Sequence, residues 1–163
     1  MHTLVWASRA LLVTIPFALA GCSTEKYAPV TGVVTLRGTP LAGATVVFTP
    51  EPAAEGVRAA TATTASDGTF RLQTNHPGGV TQAGAALGTY KVTVSKFVPP
   101  SGMSEEEYAK KIEAEQAANK PYSPESTVPA KVELIPKEYS DLKLTKVEAT
   151  VKSGSNELKI AIP

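Results

Sequence analysis

The 163-residue chain has few of the side chains from which catalytic and metal sites are usually built. It contains one cysteine, Cys22, and two histidines, of which His2 lies in a segment that we expect to be removed. One cysteine excludes an internal disulfide, and His76 alone cannot supply a multi-histidine metal site. The formal net charge is only +1, so no basic excess attracts nucleic acid. We therefore expect no metal, no cofactor and no nucleic-acid partner.

A hydrophobic run long enough to cross a membrane is also missing. Residues 10–20 are apolar but contain Pro16, and they number about half of the roughly 20 residues that a spanning helix needs. They follow a weakly charged start with Arg9 and end in small residues, which is the layout of a secretory signal. We predict that residues 1–21 are a signal peptide outside the fold. Removing Arg9 leaves the chain with balanced charge.

The segment Leu19-Ala20-Gly21-Cys22 resembles the lipobox of bacterial lipoproteins. The resemblance implies cleavage after Gly21, a diacylglycerol thioether on Cys22 and acylation of the new amino terminus. Two or three acyl chains anchor a protein stably, whereas one chain holds it only marginally. The alternative is an ordinary cleaved signal with an incidental cysteine. Ser23 stands where an aspartate often marks inner-membrane retention, which favours the outer membrane. Whether the domain faces the periplasm or the outside stays open.

From residue 29 onwards, β-branched residues alternate in short segments separated by glycine and proline, which is typical of strands. We expect residues 22–28 to be the lipidated cysteine with a polar spacer, and residues 29–163 to be one domain. The predicted strands are 30–36, 44–49, 58–64, 69–74, 88–95, 146–151 and 157–162. The third is poor in apolar residues, which places it near a sheet edge. The last two predict a terminal hairpin.

About seven such strands predict an all-β fold, an antiparallel β-sandwich. In the strand at 88–95 the side chains of Tyr90, Val92 and Val94 alternate towards one side and should face the core. Phe48 and Phe70 are expected in the core as well.

An insertion at about 99–130 interrupts the strand pattern and contains one helix signal. Ser104 followed by Glu107 fits a capping box, and the helix should extend to about Asn119. Its apolar side is thin, so we expect it on the surface rather than in the core. The alternative for the acidic residues 105–107 is a calcium site, but consecutive helical residues point in different directions.

The order of the strand motifs resembles the carboxypeptidase regulatory-like domain. The motifs are Val30-x-Gly32-x-Val34, Gly38-x-Pro40-Leu41-x-Gly43-Ala44-x-Val46-x-Phe48, Asp67-Gly68-x-Phe70 and Gly88-x-Tyr90-x-Val92-x-Val94. The resemblance covers nearly all of residues 30–162 and implies a transthyretin-like, or prealbumin-like, sandwich. The helical insertion departs from the minimal domain. The resemblance says little about activity, because this fold hosts many functions.

Candidate chemistry is sparse. A Ser-His-Asp arrangement could use His76 with Asp67 or Asp141, but no Gly-x-Ser-x-Gly elbow is present. A solvated loop histidine is the favoured interpretation, so we expect no catalytic residues and a protein that is not an enzyme.

Two functions stay open for the folded domain. The first is a membrane-anchored, non-catalytic lipoprotein of the bacterial cell envelope, whose sandwich is a structural or protein-interaction module that uses a sheet edge or the insertion. The alternative is a carbohydrate- or small-ligand-binding module at the cell surface, with Tyr108, Tyr122 or Tyr139 as stacking platforms. Tyr139 could equally pack against the end of the sandwich. Cys22 is the one residue to which the sequence assigns a functional role.

Overall fold

The alternating segments form two main sheets in the computed structural model, which describes residues 26–53, 55–118 and 128–163. In chain order the strands are β1 (Tyr27–Ala28), β2 (Val30–Leu36), β3 (Thr39–Pro40), β4 (Thr45–Pro50), β5 (Ala60–Thr63), β6 (Thr69–Arg71), β7 (Gln73–Asn75), β8 (Thr81–Ala83), β9 (Ala85–Ala86), β10 (Gly88–Ser95), β11 (Phe97–Val98), β12 (Val132–Glu133), β13 (Glu148–Val151) and β14 (Asn156–Ile162). The helices are α1 (Glu105–Ala117) and α2 (Lys137–Ser140), with a 3-10 turn at Pro77–Gly79.

The larger sheet has six strands in the order β13-β10-β4-β5-β7-β8, all antiparallel. In the second sheet β2 pairs with β14 on one edge and with β3 and β6 on the other. Two short ribbons, β1 with β9 and β11 with β12, complete the pairing. The prediction of an all-β sandwich with one short surface helix is confirmed, although the β14–β2 pair is parallel.

The core lies between the two sheets and is built around aromatic rings. Phe48 on β4 contacts Tyr90 on β10, with the ring centroids 5.8 Å apart, and Phe70 on β6, at 6.5 Å. Val92 and Val94 are buried beside them, so the predicted inward face of β10 is confirmed. The Tyr90 hydroxyl donates to the carbonyl oxygen of Ala86 at 2.7 Å, and burial raises its pKa.

The predicted terminal hairpin is wrong. β13 pairs with β10 in the six-stranded sheet, whereas β14 crosses to the other layer and lies parallel to β2. The side chain of Asn156 holds the connection together, because it bonds the carbonyl oxygens of Lys152 and Gly154 and accepts from the Lys152 amide. Val151 and Ile160 are nevertheless both buried, so each of the two strands has an inward face. Alternation reports which face is buried, and it does not report in which sheet a strand lies.

Two further strand predictions need correction. The third predicted strand, 58–64, corresponds to β5, which is shorter than expected. It lies between β4 and β7 rather than near an edge. Its small Ala60 side chain is fully buried, so low apolar content reflects tight packing here. The strand predicted at 69–74 divides at Leu72, where the chain passes from β6 in the second sheet to β7 in the first.

The folded part begins earlier than residue 29. β1 pairs with β9, and Ala28 is completely buried in the core. Residues 27 and 28 therefore belong to the sandwich and not to the spacer.

Gly32 is a point of close approach between the strands of the second sheet. A Cβ atom built on Gly32 would collide with the carbonyl oxygen of Leu158 and lie 2.6 Å from Cζ of Phe70. This is the physical reason for glycine in the first of the strand motifs, because both the β14 backbone and the Phe70 ring occupy the space that a side chain would need.

We expect Gly32→Ala to lower the free energy of unfolding by about 3 kcal/mol, because a backbone atom cannot move aside as a side-chain end can. Chemical denaturation followed by circular dichroism measures this. The matched control is Gly78→Ala, which meets no atom within 4 Å and should cost only about 1–2 kcal/mol for its left-handed backbone. Equal losses for the two variants would contradict the close approach at Gly32.

Candidate interaction surface

The two ends of the insertion are joined to each other by the β11–β12 ribbon, which we call the foot of the insertion. Phe97 pairs with Glu133 and Val98 with Val132 in the β11–β12 ribbon, and the amide of Leu134 donates to the carbonyl oxygen of Lys96 at 2.9 Å. The insertion therefore leaves and re-enters the sandwich at one place.

Hydrogen bonds accepted by Glu133 and donated by Lys96 join this ribbon to the sandwich. The Glu133 carboxylate accepts from the amides of Lys96 at 2.8 Å and Ile135 at 3.0 Å. The Lys96 ammonium in turn donates to the carbonyl oxygen of Ala42 at 2.7 Å. Ile135 is buried in the core, and Tyr139 packs against the core from α2. The ribbon is consequently held in one orientation by both polar and apolar contacts.

Large apolar side chains lie exposed around this foot. Phe97, Leu134 and Leu142 are 57%, 43% and 40% exposed, and they line one open groove of about 640 Å³. We call this the apolar groove. The rest of the groove wall includes the polar residues Glu133, Lys137, Ser140 and Asp141. Val132 and Leu144, two residues along the chain from Leu134 and Leu142, are also exposed. A single exposed leucine is ordinary, whereas neighbouring apolar side chains in a concave surface are typical of a binding site.

Helix α1 is a surface element of the insertion. Its capping box is confirmed, because the Glu107 amide donates to Ser104 Oγ at 3.1 Å and the Ser104 amide donates to Glu107 Oε2 at 2.9 Å. None of its residues is buried, as the sequence predicted, and it ends at Ala117 rather than near Asn119, which lies outside the described residues.

The acidic residues at the start of α1 have separate partners. Glu105 pairs with Lys131 at 2.7 Å and Glu106 with Lys110 at 2.9 Å, while Glu107 forms the cap. The three carboxylates are thus directed to different places, which does not favour the calcium alternative. Lys131 also lies over the ring of Tyr108, 5.1 Å from its centroid, so one face of this platform candidate is already occupied.

The residues of the proposed Ser-His-Asp arrangement have local contacts of their own. The rings of His76 and Tyr27 make an edge contact, with their centroids 5.6 Å apart. Asp67 accepts from the hydroxyl and the amide of Thr69, and these bonds lower its pKa. Asp141 accepts from the amide of Lys143 at 2.7 Å. Each group therefore has a structural role in its own loop.

The other sequence-predicted residues fall into two groups. Phe48, Phe70 and Tyr90 are buried and cannot serve as stacking platforms. Cys22 and Tyr122 lie outside the described residues.

A second, polar groove of about 420 Å³ runs across the second sheet. Thr31 lies between Arg71 on β6 and Glu157 on β14 in the strand register, and Asp67 and Thr69 complete the polar lining. The one aromatic residue in its wall, Phe70, is 2% exposed. The groove offers hydrogen bonds but no open ring for stacking on a sugar.

Within residues 26–53, 55–118 and 128–163, no three histidine, cysteine, aspartate or glutamate residues form a group that could hold a metal ion. In the same part of the chain, neither helix is long and apolar enough to span a bilayer.

The chain matches no family model. No curated protein matches it either. Among solved structures, it is similar to a DUF3823 family protein from Parabacteroides merdae ATCC 43184, at 12% identity and a TM-score of 0.36. The match covers 83% of this chain but 45% of that chain, so this chain spans less than half of the length of that structure. A likeness at that TM-score carries no argument about activity.

The apolar groove is not apparent from the sequence. A signal for Phe97 exists, because continuing the inward alternation of Tyr90, Val92 and Val94 puts residue 97 on the outward side. No comparable signal exists for Leu142, which reaches the groove from the segment after α2. Leu142 lies near Phe97 and Leu134 only because the tertiary structure brings these segments together.

The cap of α1 should titrate with Glu107. The Ser104 amide, and then its hydroxyl, stabilise the carboxylate and hold the pKa of Glu107 below its ordinary 4.5. Because the folded-state pKa is depressed, the contribution of the charged cap is complete above 4.5 and is lost as the pH falls through the folded-state value. We expect the Ser104 amide resonance in NMR spectra to shift with a midpoint below 4.5.

Glu107→Gln is the control for this titration. Glutamine can fill the same cap position, so the pH-dependent shift should vanish while the helical resonances of α1 persist. A midpoint at or above 4.5 in the unaltered protein would refute the assignment.

Proposed function

We propose that the protein is a lipid-anchored, non-catalytic lipoprotein of the bacterial cell envelope. Its β-sandwich binds another envelope protein through the apolar groove at the foot of the insertion. The domain's strand motifs resemble the carboxypeptidase regulatory-like domain, a resemblance that implies the sandwich fold and not an activity.

The anchor is supported by the lipobox-like segment 19–22 and by the placement of Cys22 directly before the folded part. Only residues 23–25 separate this cysteine from the described chain. Thioether lipidation at Cys22 would hold the sandwich at a membrane, and Ser23 favours the outer membrane.

The observation that carries the interaction is the exposure of Phe97 on the ribbon, beside Leu134, which follows β12, and Leu142, which follows α2. Exposed apolar side chains usually lower solubility, and proteins retain contiguous sets of them mainly where a partner covers them. The bonds of Glu133 hold the ribbon in place, so binding would cost little conformational entropy. Phe97 lines this groove, and aromatic side chains are enriched at protein interfaces.

Glycan binding has less support than protein binding. Tyr108 is covered on one face by Lys131, Tyr139 packs against the core, and the polar groove has no exposed ring. A glycan ligand therefore enters only as an outcome of the test below.

We expect Cys22→Ser to abolish membrane retention while the sandwich still folds, because the strands of the sandwich follow Cys22 in the sequence, from Tyr27 onwards. Fractionation of cells, together with mass spectrometry of the amino-terminal peptide, measures retention and acylation. Circular dichroism of the soluble variant checks the fold. Membrane retention of Cys22→Ser at the level of the unaltered protein would refute the lipid anchor.

We expect a photo-reactive amino acid at position 97 to cross-link one envelope protein reproducibly in intact cells. The same probe at Lys159, which is exposed on β14, should not capture it. Leu134→Ser should weaken the capture roughly thirtyfold, corresponding to about 2 kcal/mol for a hot-spot side chain. If position 97 captures nothing while a glycan array binds the purified domain, the interaction proposal is wrong and the carbohydrate alternative takes its place.

A further inference from the structure

The connection between the anchor and the fold limits where the membrane can lie. Lys26 follows Cys22 by four residues, and an extended chain spans at most about 3.5 Å per residue. If Cys22 carries lipid, as the proposed function holds, Lys26 lies within roughly 14 Å of the headgroup region, and β1 begins at the next residue. The end of the sandwich at which β1 begins must therefore lie close to the bilayer.

The surface around the start of β1 is apolar. The amide of Leu87 donates to the carbonyl oxygen of Lys26 at 3.2 Å, and Leu87 is 39% exposed. A concavity of about 290 Å³ beside it is lined by Tyr27, Val57 and Ala86, among others. Exposed apolar side chains thus lie at the point where the tether enters the fold.

A second exposed side chain comes from the neighbouring loop. The Tyr27 ring contacts His76, and the His76 amide donates to the carbonyl oxygen of Val80 at 2.8 Å, which closes the loop over Gly78 and Gly79. Val80 is 61% exposed, the largest fraction among the exposed large apolar residues of the described chain. We call the surface formed by Lys26, Tyr27, Val80 and Leu87 the tether-side face.

The apolar groove lies at the other end of the same strand. β10 begins at Gly88, directly after Leu87, and ends at Ser95, two residues before Phe97. At about 3.3 Å per residue, the eight residues of β10 separate its two ends by roughly 23 Å. A sandwich with its tether-side face on the bilayer consequently presents the apolar groove away from it.

We propose that the tether-side face rests on the lipid surface of the anchoring membrane, with Val80 and Leu87 inserted at the boundary between headgroups and acyl chains. Tyrosine is suited to that boundary because its ring is apolar and its hydroxyl is polar. Lys26 and Glu55 at the edge of the concavity have opposite charges, so the contact depends on apolar insertion more than on anionic lipid. The contact is weak alone, and the tether supplies a high effective concentration.

Tryptophan fluorescence tests this orientation with little perturbation. Trp6 is the only tryptophan of the chain, so after removal of residues 1–21 an introduced tryptophan is a unique probe. The variants are Leu87→Trp and Val80→Trp at the tether-side face, with Phe97→Trp as the matched control at the apolar groove. All three positions are exposed, and circular dichroism confirms that each variant folds. Each lipidated protein is reconstituted in phosphatidylcholine vesicles with or without brominated acyl chains.

We expect brominated lipid to quench the tryptophan at position 87 or 80 at least about threefold more than the tryptophan at position 97, with a blue-shifted emission. Equal quenching at the three positions, or stronger quenching at position 97, would overturn the proposed orientation.

The mass of the amino-terminal peptide, read from the same samples, separates this inference from the anchor. If Cys22 is acylated and quenching shows no preference, the proposed lipid contact of the tether-side face is wrong, whereas the lipid anchor stands. If Cys22 is not acylated, the anchor proposal fails, and a maleimide phospholipid coupled to this single cysteine provides the tether instead. The quenching pattern of the coupled protein then supports or overturns the proposed lipid contact of the tether-side face by the same criterion.

Discussion

Contact between three buried aromatic rings joins the two main sheets, and much of the rest of the fold depends on it. Phe48 and Tyr90 come from the six-stranded sheet, and Phe70 reaches them from the other layer. Aromatic residues are only 6% of the chain, so this cluster uses three of its few large rings. Phe70 fits because Gly32 leaves the space beneath its ring open. The chain then changes sheets at Leu72, which places β6 and β7 in different layers.

Strand β10 separates the two ends of the molecule that carry the proposed contacts. β10 runs the length of the six-stranded sheet, with β1 and β9 near its beginning and the β11–β12 ribbon just past its end. The insertion is attached at that second end through Glu133 and Lys96, whose hydrogen bonds involve backbone groups of the sandwich. Helix α1 can therefore lie on the surface without a buried residue, since the ribbon and not the helix provides the attachment.

In the proposed arrangement, each end of the sandwich has a different apolar surface. A short tether makes a weak lipid contact sufficient, because it replaces free association by a local encounter. The same contact would limit the rotation of the domain and direct the groove of Phe97, Leu134 and Leu142 outwards. A partner would then meet an oriented surface, and less rotational freedom would be lost on binding.

The sequence by itself determined the class of the fold, the inward face of most strands and the start of α1. These features depend on neighbouring residues: alternation decides which side of a strand is apolar, as in Tyr90, Val92 and Val94, and Ser104 with Glu107 caps the helix locally. Only the tertiary structure decided that β13 and β14 lie in different sheets, that β5 is interior, and that Leu142 adjoins Phe97. These depend on which surfaces meet across the core. Pairing partners compete through packing over the whole domain, and a two-residue period carries no information about that competition.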